Sequence, residues 1–482
     1  MKPLRKFLLP LFLCLLFHSC EEAPDKPILA NPDITILYTN DEHGWISETN
    51  DADGAAKLMG VWKDVEDYTA TGPFLILSGG DNWTGQAIST WFQGQSTVET
   101  MNTMGYDAVA IGNHEFDFQV SGLRQRVAQA DFPYLSANIR LKSDNSIPDF
   151  AQAYVLQEVN GILVGIIGLT TTSTSYSTFP TYVEDYNFIP YRDALEEWTP
   201  QIWAEGAEIV LCVAHICGYE MEELVSLASQ LGITMIGGGH CNELISDVRA
   251  NGTVALIEGG WRMGHYARLD IWYNQEEMFV SDLVAATREN RGGTPDAEVE
   301  SVVNTWELAT MEALGDVIGY TDIQIPRDSP QMQNLVTDSW LYNYPLADIA
   351  ITNTGGIRQP IDAGEITWGD IVGVLPFNNN ILELQLTGQQ VIACLQNHAV
   401  AGMTTSNGYW HADGTPFMLD SVYSVLTTDY LYLQPDNAFN SFDPDPYYTE
   451  LNYSQPTVDF ILSLNTSTNN PLNNYLDYTP RR

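Results

Sequence analysis

Five apolar runs in the first half of the chain end in residues that can bind metal ions or carry protons. "ITILYTNDEHG" ends in Asp41 and His43, "FLILSGGDNWTG" in Asp81, and "DAVAIGNHEFD" in Asn113, His114 and Asp117. "AEIVLCVAHICG" ends in His215, and "ITMIGGGHCNEL" in His240 and Asn242. Carboxylates and an amide oxygen are hard donors and imidazoles borderline, a set that suits two divalent cations with no thiolate. A carboxylate shared by two ions would let them activate a water and clamp the oxygens of an in-line displacement at phosphorus. The residue types therefore point to phosphoester hydrolysis. Cys241 is expected on the opposite side of the chain from His240 and Asn242, as packing.

Residues so far apart in sequence meet only if a regular scaffold delivers them to one place. From Ile34 to about Trp272, short runs rich in Val and Ile alternate with helix-compatible stretches such as 120–130 and 220–230. This is the rhythm of an α/β domain whose strands are buried on both faces. In such sheets ligands collect at the carboxyl ends of the strands, and the glycines beside Asp81, Asn113 and His240 allow the backbone close to the ions. At 482 residues the chain is long enough for two domains. The Gly/Pro break in "ENRGGTPDAEVESVVNTWELATMEALG" marks the boundary. We read 33–290 as the first domain, 291–315 as a linker helix able to absorb domain rotation, and 316–482 as the second domain.

Residues 1–19 carry Lys2, Arg5 and Lys6 ahead of an apolar run, Phe7 to Phe17, that is too short to span a bilayer. This reads as an export signal. Cys20 after Ser19 resembles a bacterial lipoprotein cleavage point, which implies a lipid on Cys20 as the membrane contact and 20–32 as a tether. The protein is then expected to be exported, either periplasmic or lipid-anchored at the outer membrane or cell surface. The leader takes three basic and no acidic groups with it, so the remainder carries 17 basic against 62 acidic groups, a net charge of −45. Nucleic-acid polymers are therefore poor partners, and any phosphate site must be made by local cations. Cys212, Cys217, Cys241 and Cys394 are expected to be buried free thiols.

"YTNDEHG", "SGGDNWTG" and "GNHEFD", followed in order by "VAHICG" and "GGGHCN", resemble the signature blocks of calcineurin-like metallophosphoesterases. "ITNTGGIRQPIDAGEITWGDIVGVLPFNNNILELQLTG" is similar to the C-terminal domain of 5'-nucleotidases. The chain is thus identified as a member of the 5'-nucleotidase and UDP-sugar hydrolase family. The resemblance implies an N-terminal four-layer α/β/β/α metallophosphoesterase sandwich and a C-terminal α+β nucleotide-recognition domain. It also implies two divalent ions, Zn, Mn, Co or Fe: Asp41 and His43 on the first, Asp81 bridging, and Asn113, His215 and His240 on the second. Asn242 falls where the family usually has His or Gln, so the first site is expected to be weaker than with histidine. His114 and Asp117 match the catalytic dyad, although Asp117 could instead cap a helix starting near Phe118.

In the second domain the resemblance gives Arg358, and with less regular spacing Arg327, as phosphate contacts. It gives Asn353 and Gly356 as substrate contacts, Phe377 and Tyr430 as the aromatic pair about the base, and Asp436 at the ribose. The family's Gly-Gly-Asp-Gly run is replaced by Gln434-Pro435-Asp436-Asn437, which leaves Tyr430 open to being a core aromatic. The expected activity is removal of phosphate from nucleoside 5'-monophosphates, with UDP-sugars or other nucleotides as further substrates. A hydroxide held between the ions would attack phosphorus while His114 and Asp117 stabilise the transition state. The alternatives are a 2',3'-cyclic-nucleotide phosphodiesterase/3'-nucleotidase, or a surface lipoprotein that binds nucleotide or metal without turnover.

Overall fold

Strands of near-continuous apolar sequence need cover on both faces, and the chain supplies it by pressing two sheets together and flanking each with helices. The computed structural model describes residues 31–49, 52–405 and 408–482. The export signal, Cys20 and nearly all of the tether lie outside the described residues. The first sheet has the order β12-β11-β1-β2-β3-β4, with β1 (Ile34–Thr39), β2 (Phe74–Ser78), β3 (Ala108–Ala110), β4 (Tyr134–Leu135), β11 (His265–Asn274) and β12 (Phe279–Glu289). The second has the order β9-β10-β8-β7-β6-β5, with β5 (Tyr154–Val159), β6 (Ile162–Thr170), β7 (Ile209–His215), β8 (Ile233–Gly237), β9 (Leu244–Arg249) and β10 (Val254–Gly259).

Side-chain alternation sorts the core. Ile36, Leu75 and Leu77 meet Val164, Leu211 and Met235 between the sheets. Their neighbours Leu37, Ile76 and Val109 face outward against helices Gly54–Asp64 and Gln95–Met104. On the other side Val210, Cys212 and Ile236 face helices Tyr191–Ala204 and Gly218–Leu231. The result is the four-layer α/β/β/α sandwich. Strands β1, β2 and β3 run parallel, as do β6, β7 and β8, so the carboxyl ends that matter open at one edge of each sheet.

Helix Ala297–Leu314 is capped by the Asp296 carboxylate, which accepts from the amides of Glu298 and Val299. Its apolar stripe, Val299, Val303 and Trp306, packs on the outer layer of the first domain. The helix is therefore part of that layer, because burying the stripe is worth more than leaving it as a free spacer. Beyond it, β13 (Val317–Thr321) pairs with β15 (Gly364–Thr367). A five-stranded sheet, order β17-β14-β18-β16-β19, comprises β14 (Ile349–Thr352), β16 (Asn380–Thr387), β17 (Ala399–Ala401), β18 (Val422–Thr428) and β19 (Tyr447–Asn452). Helices Pro330–Asn343 and Gln455–Leu464 cover one face and Gly388–Cys394 the other, giving an α+β domain.

Two cysteine expectations are corrected. Cys217 and Cys241 form a disulfide, with Cα atoms 5.1 Å apart, whereas Cys212 and Cys394 are buried free thiols. Strands β7 and β8 are parallel neighbours, so the loops after them lie side by side and bring together residues 24 apart in sequence. Cys241 accordingly points to the loop beside it instead of packing into the core.

Candidate active site

Each strand delivers its residues through a sharp exit. Asp41, His43, Asp81, His240 and Asn242 have φ of 51°, 47°, 58°, 75° and 58°. A left-handed backbone at non-glycine residues costs on the order of 1–3 kcal/mol each and persists only where surroundings impose it. Five strained residues in three strand-end loops aim their side chains into one cavity between the domains, of about 280 Å³. Asp41, His43, Asp81, Asn113, His114, Asp117, His240, Asn242, Asn353, Arg358, Phe377 and Tyr430 line it. His215 is buried behind the lining, with Nε2 2.9 Å from Asp81 Oδ2.

Asp81 is common to two metal-competent groups: His43, Asp81 and His114, and Asp81, His215 and His240. The surrounding bonds fix which ring atom faces inward. His215 Nδ1 lies 2.8 Å from the Gly79 carbonyl and His43 Nδ1 3.0 Å from that of Thr84, so both donate there and turn Nε2 towards Asp81 and the cavity. Asn113 donates Nδ2 to the Ser177 carbonyl at 3.2 Å, while its Oδ1 is buried without a hydrogen-bond partner. Orphaned buried acceptors are rare, and this one fits a cation. Asp41 Oδ2 accepts from Asn40 Nδ2 and from the His240 amide, tying the first loop to the fifth. These donors fit divalent ions; Asn242 reaches the same wall from an exposed turn.

The histidines divide by environment. Burial, then the neighbouring Arg358 cation, holds His43 well below its usual pKa, and burial followed by His215 lowers His240 to about 4. Both are thereby held in the neutral form. His114 moves the other way: burial opposes its charge, but Asp117 and Asp81 outweigh it and raise the pKa. His215 is likewise raised, to about 10, burial being outweighed chiefly by Asp81, which marks how strongly this pocket seeks positive charge.

His114 Nδ1 lies 2.7 Å from Asp117 Oδ2, and the Thr178 hydroxyl donates to Asp117 Oδ1 at 3.3 Å. Helix Gln119–Gln129 has no side-chain cap, so Asp117 serves His114. Arg358 Nη2 sits 3.0 Å from His43 Nε2, bringing the second domain onto the first. Phe377 stacks on His114 with centroids 5.6 Å apart, and Tyr430 lines the wall instead of filling the core. Three sequence-derived contacts lie off the lining. Gly356 is behind it, its carbonyl accepting from Tyr453, and Gly355 takes its place. Arg327 donates Nε to the Ile357 carbonyl, and Asp436 is exposed, its carbonyl accepting from Gln396.

Sequence reading missed the braces. Glu115 accepts from the amides of Gly112, Asp81 and Asn82, and Glu42 from Thr39, Ser78 and Asn82. Burial pushes these carboxyls up to about 8 and about 7. The only hint was their position inside "GNHEFD" and "NDEHG". Tyr453 also escaped notice; it receives the Phe377 amide and donates to Gly356. Arg262, sandwiched on Trp45 and Trp261 at 4.2 and 3.7 Å, donates to the Arg358 carbonyl.

Residues 316–412 match the family model described as "5'-nucleotidase, C-terminal domain". The trifunctional nucleotide phosphoesterase protein YfkN of Bacillus subtilis is 27% identical over 77% of this chain, which spans 28% of that protein. Protein UshA of Escherichia coli is 29% identical over 78% of this chain and 77% of its own length. Among solved structures, a 5'-nucleotidase precursor from Thermus thermophilus superposes with a TM-score of 0.77 at 21% identity, covering 93% of this chain and 98% of that one.

Proposed function

We propose that this chain is an exported hydrolase of the 5'-nucleotidase family that removes phosphate from nucleoside 5'-monophosphates with two divalent ions, a reading supported by the match of residues 316–412 to the 5'-nucleotidase C-terminal domain and by the likeness to UshA over 78% of the chain. The observation that carries this is Asp81, shared by two metal-competent groups beside the His114–Asp117 pair. Ions bound there would supply Lewis acidity and an activated water. Asp41, His43, Asp81 and Asn242 are proposed to hold one, and Asp81, Asn113, His215 and His240 the other. His114, whose protonated form Asp117 favours, is proposed to neutralise charge at the phosphoryl group as the ester bond breaks. Arg358 contributes a planar fork suited to phosphate oxygens. Its place beside Arg262 and within reach of Arg327's field offsets an otherwise strongly acidic chain.

Phe377 and Tyr430 are proposed to take the base, by stacking that accepts any nucleobase. Phe377 rests on His114, so the ring is expected to leave that stack when a nucleotide reaches the dyad. Lipid attachment at Cys20 belongs to the same proposal and rests on the leader sequence alone; no helix among the described residues is long and apolar enough to cross a membrane.

Hydrolysis of AMP, UDP-glucose and 2',3'-cyclic AMP, each with and without Mn, Zn or Co and followed by separation of the products, tests the reading. Metal-dependent conversion of AMP to adenosine and phosphate is expected. Rapid turnover of the cyclic nucleotide and none of AMP would point to the phosphodiesterase, and no turnover of any would leave a binding lipoprotein. Thr178→Val should lower kcat on AMP about tenfold, the worth of one hydrogen bond to a charged group, with metal content unchanged. Unaltered kcat in steady-state assays would remove Thr178 from the machinery.

A further inference from the structure

The Cys217–Cys241 disulfide lies within the proposed ligand framework: Cys217 is two residues past His215, and Cys241 stands between His240 and Asn242. We propose that it is a clasp that positions the His240–Asn242 turn, so that a neutral amide can serve as a metal ligand where an imidazole would bind more tightly. This rests on the two-ion reading above.

The two ends of the clasp differ in kind. Cys217 is 3% exposed and sits at the N-cap of helix Gly218–Leu231, with its amide donating to Glu220 at 3.0 Å. Cys241, Asn242 and Glu243 are exposed. The disulfide thus ties a solvent-facing turn to an anchor held by a helix and the sheet. His240 and Asn242 are both left-handed, with φ of 75° and 58°, a conformation that asparagine tolerates, so what the tie fixes is the place of the turn against the sheet.

The other fastenings lie on either side of Asn242. The His240 amide donates to Asp41 at 2.9 Å, and His240 Nδ1 is 3.2 Å from His215 Nε2. Past it, the Glu243 amide donates to Glu258 at 2.6 Å, and the Glu243 carboxylate accepts from the Gly218 amide at 2.9 Å. His240 therefore has its own restraints, whereas Asn242 depends on its neighbours for position. An ion that meets preplaced ligands pays less for ordering them, and the effect is largest where the ligand is weakest. No step of the proposed chemistry uses the sulfur atoms. Cys212 and Cys394 remain thiols, so the bond reflects the placement of this one pair.

The test is calorimetric titration of Mn into metal-free protein, which reads affinity without reference to turnover. In Cys217→Ser/Cys241→Ser the weaker of the two sites should lose about tenfold or more in affinity, as when a group supporting a ligand is removed. The tighter site should change less, and adding Asn242→His should restore the weaker one. Because the serine variant could fold poorly, wild-type protein is also reduced after folding with a water-soluble phosphine and desalted. That reagent converts the disulfide to two thiols and takes an oxygen from water to become the phosphine oxide. The same loss should appear, and reverse on reoxidation. Equal affinities in oxidised and reduced protein would overturn the clasp. A wild-type protein that takes up no divalent ion in either state would instead overturn the two-ion reading, and the clasp with it.

Discussion

His114→Ala is expected to lower kcat on a nucleoside 5'-monophosphate by about 10²- to 10³-fold, the usual effect of deleting one preorganised group aimed at developing charge. KM should change little, because the interaction strengthens only as the ester bond breaks. The geometry behind this is the 2.7 Å contact from Nδ1 to Asp117, itself held by Thr178. The imidazole is thereby raised above its ordinary pKa while His43 and His240 are pushed below theirs. The opposite shifts set His114 apart from His43 and His240, while His215, also proposed as a ligand, is raised by the Asp81 carboxylate with which it would share an ion. His114 also belongs to a metal-competent group with His43 and Asp81. Metal analysis of the variant therefore decides the role: two ions retained with kcat lost supports the acid, and an ion lost makes His114 a ligand.

Asp81→Asn should be more damaging, because one substitution weakens both ion sites. Asparagine is the gentlest replacement available. It tolerates the left-handed backbone that Asp81 adopts at φ 58°, and its Oδ1 can still accept from the His114 amide, now 2.8 Å away. What it removes is the negative charge between the two groups, including the partner 2.9 Å from His215 Nε2. Affinity for both ions is expected to fall more than about 100-fold, beyond the loss typical of a merely supporting residue. Hydrolysis should drop to the level seen without metal. Elemental analysis after dialysis is the direct measurement; two ions per chain in Asp81→Asn would refute Asp81 as the shared ligand.

Much of the site was readable because its residues follow a rule that needs no coordinates. Strands buried on both faces must be apolar throughout, so an Asp, His or Asn placed just past each run stands out, and parallel strands bring such ends to one edge. Asp41, Asp81, Asn113, His215 and His240 were recognisable on that ground, and the block around Arg358 by its likeness to a known domain. The braces were not. Glu42 and Glu115 resemble surface carboxylates in sequence, and only burial among polar groups of other loops gives them a role. Asp436 is the converse: its place in the sequence suggested a ribose contact, but it is exposed and off the cavity lining, with its carbonyl accepting from Gln396.

The chain's pattern of apolar runs and polar ends thus determined the α/β class, the strand ends and the donor types, since these depend on local composition and period. Which loops lie against each other depends on strand order, which is long-range information. The neighbouring places of β7 and β8 joined Cys217 to Cys241, two residues read alone as free thiols. The same adjacency made Asn242, a weak ligand on paper, part of a tethered turn.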